Sequence, residues 1–173
     1  MIKDNIIKYL PNALTLSNMT MGMIAIIFAV DGEYFIASLL ILVGALFDRY
    51  DGKLARRFNS SSELGKEMDS LADMITFGVA PAIIALQFPL SNLNLLGYVI
   101  ALLFVACGLY RLSRFNVSEI ENTLKGLPIT IAGSLLALSF AYQYTYTVYP
   151  LITAILMLIF SYLMISKYEI RKI

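Results

Sequence analysis

The sequence predicts an all-α, polytopic integral membrane protein: six transmembrane helices in one domain, residues 1–173, with both termini cytoplasmic. Three observations carry this. Of the 173 residues, 59% are hydrophobic and only 14% charged, where a soluble domain carries about 25% charged residues. Apolar runs recur at a length that spans hydrocarbon, about 20 residues as a helix. The basic residues segregate to alternate connections between those runs.

The runs are 13–30, 34–56, 64–87, 93–115, 127–146 and 149–167. Asp31-Gly-Glu33 breaks the first from the second, and 57–63 is the polar link to the third. Phe88-Pro-Leu-Ser-Asn-Leu-Asn94 separates the third from the fourth, and Asn116 through Gly126 is the longest polar stretch. Tyr146-Thr-Val-Tyr-Pro150 divides the last two. With the N-terminus inside, all 13 Lys and Arg fall on inner segments and none on the three outer turns; one span more or fewer would scramble that separation. Met1-Ile-Lys-Asp-Asn-Ile-Ile-Lys8 reads as a mixed, interfacial segment rather than a signal peptide.

Composition removes several kinds of chemistry. There is no histidine, so an imidazole base, a phosphohistidine and a His-bound metal are excluded. The single cysteine, Cys107, allows no internal disulfide and no multi-Cys metal site, and reads as a small packed residue. A net charge of +1 offers nothing to nucleic acid.

What remains is acidic. Asp48 and Asp51 are spaced i, i+3 at the inner end of span two, and Asp69 and Asp73 are spaced i, i+4 at the start of span three. Each spacing puts two side chains on one helical face. The two spans are joined by a short inner loop, so the four carboxylates face one another at similar depth. An aspartate at the centre of a membrane helix costs about 2.5–3.5 kcal/mol, and neighbouring carboxylates repel. A bound cation resolves both problems. Ligands that are all oxygen select a hard ion such as Mg²⁺, Mn²⁺ or Ca²⁺, and four carboxylates suffice for two ions clamping a phosphoryl group. The competing reading is an acidic ladder paired with Arg49, Lys53, Arg56 and Lys66.

Nearby residues suit a bound anion. Gly52 and Gly65 allow close approach of a ligand or another helix. Ser60-Ser-Ser-Glu63 reads as a capping box opening span three, with Ser62 a candidate phosphate contact. Arg56 is placed to pair with a phosphate, and Arg57 with headgroups.

The string Asp48-x2-Asp51-Gly52-x2-Ala55-Arg56-x8-Gly65-x3-Asp69-x3-Asp73 resembles the signature of the CDP-alcohol phosphotransferase family at every fixed position. The resemblance implies a six-span membrane enzyme that moves a phospho-alcohol from a CDP-alcohol to a second alcohol, releasing CMP. It implies two divalent ions, Mg²⁺ or Mn²⁺, on Asp48, Asp51, Asp69 and Asp73, with Asp73 also the base. Gly52, Ala55, Arg56 and Gly65 then belong to the CDP pocket. Pro11-Asn12-x2-Thr15-x2-Asn18-x3-Gly22 resembles the first span of the phosphatidylserine synthase branch, whose polar residues face the nucleotide. Arg111-Leu-Ser-Arg114-Phe-Asn116 and Lys125-Gly-Leu-Pro128 resemble that branch's fourth span and following loop. The partners so implied are CDP-diacylglycerol or CDP-archaeol, L-serine, membrane lipid and a second copy in a homodimer.

Simpler readings stand beside these. Asn12 and Thr15 share one helical face and suit interhelical hydrogen bonds. Arg111 and Arg114 suit positive-inside anchoring, or else the carboxylate of serine or a pyrophosphate. Asn116 suits the amino acid or a helix end. As a whole, serine transfer competes with the same chemistry on glycerol 3-phosphate or an inositol phosphate, and with a cation transporter using the four aspartates as an ion site.

Overall fold

The computed structural model describes residues 2–57, 62–117, 124–166 and 169–170, with side chains for 11–54, 62–117 and 126–166. Six helical rods are found among the described residues, one for each apolar run: α1 (Ile2–Val30), α2 (Tyr34–Arg57), α3 (Glu63–Asp73) continuing into α4 (Ala80–Gln87), α5 (Asn94–Val117), α6 (Ile129–Thr145) and α7 (Pro150–Ile165). Among the described residues, three stretches are long and apolar enough to cross a membrane: Pro11–Val30, Glu63–Gln87 and Ser91–Val117. Two strands of two residues each, β1 (Leu124–Lys125) and β2 (Glu169–Ile170), pair antiparallel; the apolar pattern contains no cue for them.

The rods are apolar outside and partly polar within. Leu95, Leu102 and Leu151 are exposed, while Thr15, Asn18, Asp51, Asp73, Thr76 and Arg111 are buried. That inversion suits a protein surrounded by lipid, where ionisable groups turn to the bundle interior.

The connections are tight. Gly32, at φ +85°, closes α1 as the Glu33 N–H reaches back to the Phe28 carbonyl at 2.8 Å. Between α6 and α7, the buried Gln143 amide accepts from Tyr149 N at 2.8 Å and donates to Thr153 Oγ1 at 2.9 Å. Tyr34, Phe88 and Tyr144 pack together at this end of the bundle.

The rod formed by α3 and α4 runs through the middle, and its junction, Met74–Val79, is π-helical. Pro81 explains the change of register: it has no N–H to give the Phe77 carbonyl one turn earlier. Hydrogen bonds widen here, with the Ala80 N–H on the Ile75 carbonyl. Gly133 on α6 lies against this segment; a Cβ there would stand 2.6 Å from Phe77 O. The absent side chain lets α6 pack onto the π turn, immediately past Asp73.

Candidate active site

Five helices deliver polar side chains to the end of the bundle opposite the Tyr34 cluster. The i, i+3 spacing on α2 aims Asp48 and Asp51 at the start of α3. Asp48, Asp51 and Asp69 each present an oxygen within 4.8 Å of the others. Two full charges at that separation repel by about 3–4 kcal/mol at an effective dielectric near 20. Three such pairs approach the whole stability of a typical domain, about 5–15 kcal/mol. Thr15, Asn18 and Thr130, all uncharged, donate hydrogen bonds to Asp51 and Asp73. Asp69 Oδ1 is buried without a partner. Three converging carboxylates, all-oxygen chemistry and an orphaned buried acceptor fit a hard divalent cation.

Asp73 stands beside this triad rather than in it. It ends α3, is 7% exposed, and faces Asp48. Its Oδ1 accepts from Asn18 Nδ2 at 3.2 Å and its Oδ2 from Thr130 Oγ1 at 3.4 Å.

The α1 residues singled out by sequence divide between two tasks. The Thr15 hydroxyl lies 2.9 Å from Asp51 Oδ2 and 3.1 Å from the Pro11 carbonyl, so it holds Asp51 from across the helix pair. Asn12 meets the start of α3, where a Cβ on Gly65 would stand 3.3 Å from Asn12 Oδ1 and 3.1 Å from Ser62 Oγ. Ser62 itself is the N-cap of α3, accepting from the Gly65 N–H at 3.0 Å. Ser60 lies outside the described residues, and the side chains of Ala55, Arg56 and Arg57 lie outside the described side chains.

The three polar residues of α5 separate. Arg111 is 8% exposed, lies near enough to Asp73 to feel its charge, and packs over the Phe115 ring. Its Nε is buried with no partner. Arg114 turns the other way and donates to the carbonyls ending α7: Ile165 O at 3.0 Å, with Ser166 O and Met164 O at 3.4 and 3.5 Å. A cation there satisfies the unpaired carbonyls of a helix end. Asn116 ties α5 to α3, accepting from Ser70 Oγ at 3.1 Å and donating to Glu67 Oε1 at 3.3 Å.

The loop after α5 joins the same knot. The Leu127 N–H bonds Leu163 O at 3.1 Å, and Gly126, at φ +84°, lies against Met164 O and the Arg114 guanidinium. Gly126→Ala meets both a left-handed backbone and a carbonyl collision, so it should cost at least about 2 kcal/mol. Thermal unfolding in detergent reads this as a lowered midpoint.

A cavity of about 630 Å³ opens between α2 and α6. One wall carries Asp48, Asp51 and Asp69 with Gly52; the other carries Thr130 and Ser134, one turn apart on α6. Arg49 also lines it, and Ala45, Leu46, Ile131 and Leu135 form its apolar part. A volume in this range suits a small-molecule ligand, and the mixed lining suits one with a charged and an oily part. Sequence reading missed Thr130 and Ser134. Their only signal was a hydroxyl pair spaced i, i+4 where an apolar run begins.

The sequence profile of the CDP-alcohol phosphatidyltransferase family matches residues 8–171. The chain belongs to this family. It is 39% identical over 162 residues to the CDP-diacylglycerol–serine O-phosphatidyltransferase of Bacillus subtilis, covering 92% of this chain and 88% of the relative. It is 37% identical over 171 residues to the archaetidylserine synthase of Methanothermobacter thermautotrophicus, covering 95% and 70%. The Helicobacter pylori CDP-diacylglycerol–serine O-phosphatidyltransferase is 38% identical over 131 residues; that match spans 74% of this chain and about half, 55%, of the relative.

Proposed function

We propose that this chain is a six-span membrane transferase with its termini and active site on the cytoplasmic side. It moves the phosphatidyl or archaetidyl group of a CDP-lipid to the hydroxyl of L-serine and releases CMP. The observation that carries this is the convergence of Asp48, Asp51 and Asp69 on one wall of the α2–α6 cavity, with Asp73 held beside them. Membership of the family supports the reaction class, and relatives named for serine supply the acceptor.

The chain's own residues divide the work. Asp48, Asp51 and Asp69 hold Mg²⁺ or Mn²⁺, and Thr15 keeps Asp51 aimed. Bound divalent ions supply the positive charge that a diphosphate and its departing CMP require. Asn12, Gly52, Ala55, Arg56, Ser62 and Gly65 form the nucleotide side, and the apolar cavity lining admits the lipid-bearing end. Asp73 takes the proton of the serine hydroxyl, because a neutral hydroxyl is a poor nucleophile. The serine oxygen bonds to the phosphorus that carries the lipid, the phosphorus–oxygen bond to CMP breaks, and CMP leaves as an anion. Arg111, with an unmet donor beside Asp73, receives the serine carboxylate or a substrate phosphate.

Arg114 is assigned to the end of α7 instead. Arg114→Ala should lower the unfolding midpoint while the KM for either substrate stays within about twofold. A KM for serine raised more than that for CDP-lipid would return Arg114 to the substrate.

CMP release in detergent tests the whole reading, with and without L-serine and with and without divalent ion. Release should need both. Release with glycerol 3-phosphate but not serine would replace the acceptor. Ion flux in liposomes without CMP release would make the chain a transporter.

A further inference from the structure

The Asp73 carboxylate is gripped on both oxygens by residues from two different helices. From α1, Asn18 Nδ2 donates to Oδ1 at 3.2 Å; from α6, Thr130 Oγ1 donates to Oδ2 at 3.4 Å. Asn18 is itself anchored. Asn18 is fully buried, and its own carbonyl accepts from Thr76 Oγ1 at 3.0 Å, in the π turn that follows Asp73. Its amide fits because α2 has a glycine opposite: a Cβ on Gly44 would stand 3.0 Å from Asn18 Oδ1. Thr130 lies in the first turn of α6 and reaches two places at once. It lines the cavity beside the carboxylate triad, and it faces Asp48 as well as Asp73.

We propose that Asn18 and Thr130 are positioning residues that fix the plane of the Asp73 carboxylate relative to the acceptor hydroxyl. This rests on Asp73 being the base of the proposed transfer. A carboxylate bonded through one oxygen swings about its terminal torsion, which is broad in aspartate; contacts on both oxygens narrow that swing. Orientation of that kind is a large lever, since a displacement of about 1 Å at a reacting group costs on the order of 100-fold in rate. It also gives the fifth apolar run, α6, a part in the chemistry.

The test uses the full chain in detergent with CDP-diacylglycerol, L-serine and Mn²⁺. It measures kcat, both KM values, the Mn²⁺ concentration for half-maximal rate, and the unfolding midpoint. Thr130→Val keeps shape and removes the hydroxyl; Thr130→Ser keeps the hydroxyl; Asn18→Leu removes the amide. Val and Leu should each lower kcat about 100-fold, with both KM values and the Mn²⁺ requirement within about threefold of the parent. Ser should stay within about fivefold of the parent rate. Should Asn18→Leu fail to fold, the Val and Ser pair at position 130 decides alone. Undiminished kcat in Thr130→Val overturns the proposal, and so does a loss carried by the Mn²⁺ requirement or by the unfolding midpoint. A parent protein that releases no CMP with serine sinks the functional reading instead, so the two failures are distinct.

Discussion

Replacing Asp73 by asparagine should lower kcat by about 10³-fold or more, while the protein still folds and still binds CMP. General-base catalysis by a placed side chain contributes about 10²–10⁴-fold. The swap is close to isosteric. Its remaining carbonyl oxygen can still accept from Asn18, and the Thr130 hydroxyl can rotate to accept from the new amide. What disappears is the negative charge and the capacity to take the acceptor's proton. Because the three-carboxylate cluster does not include Asp73, nucleotide affinity should fall far less than turnover. Single-turnover release of CMP, set beside calorimetric titration with CMP and Mn²⁺, separates the two. Full activity in this variant would remove Asp73 as the base.

The acidic site was legible because its cost is high. Four aspartates on paired helical faces inside apolar runs need a compensating ion or ligand, and the structure brings Asp48, Asp51 and Asp69 together as that spacing requires. The rods were legible for the same reason: apolar length leaves few alternatives to helix in lipid. The details that escaped are those where one residue type serves several purposes. An arginine near a helix end satisfies a phosphate or a row of carbonyls equally well, so the contact of Arg114 with the end of α7 had no cue in the sequence. Thr130 and Ser134 look like ordinary helix residues, whose hydroxyls commonly bond back to their own backbone. The π turn after Asp73 has one local cue, Pro81, and proline in a membrane helix also makes simple kinks. The first apolar run, 13–30, matches the membrane-length stretch Pro11–Val30, while α1 itself begins earlier, at Ile2, and continues through Pro11.

Asp69→Asn should move activity and stability in opposite directions. Asp69 depends most on an ion: Asp51 has the Thr15 hydroxyl, whereas Asp69 Oδ1 is buried without a partner. Losing its charge should lower kcat by about 10²-fold or more and raise the divalent concentration for half-maximal rate at least about tenfold, as expected when a primary ligand is lost. In chelator the sign reverses. The substitution relieves two like-charge contacts, each about 3–4 kcal/mol at full charge, so the metal-free variant should unfold at a higher temperature than the metal-free parent. Adding Mn²⁺ should then favour the parent, since a ligand at 100 times its Kd stabilises the native state by about 2.7 kcal/mol. Crossing unfolding curves, variant above parent in chelator and below it in Mn²⁺, are the expected signature of a carboxylate kept for a metal at the expense of the fold. A variant destabilised equally in both conditions would make Asp69 a structural residue, and the triad would lose its claim to the ion.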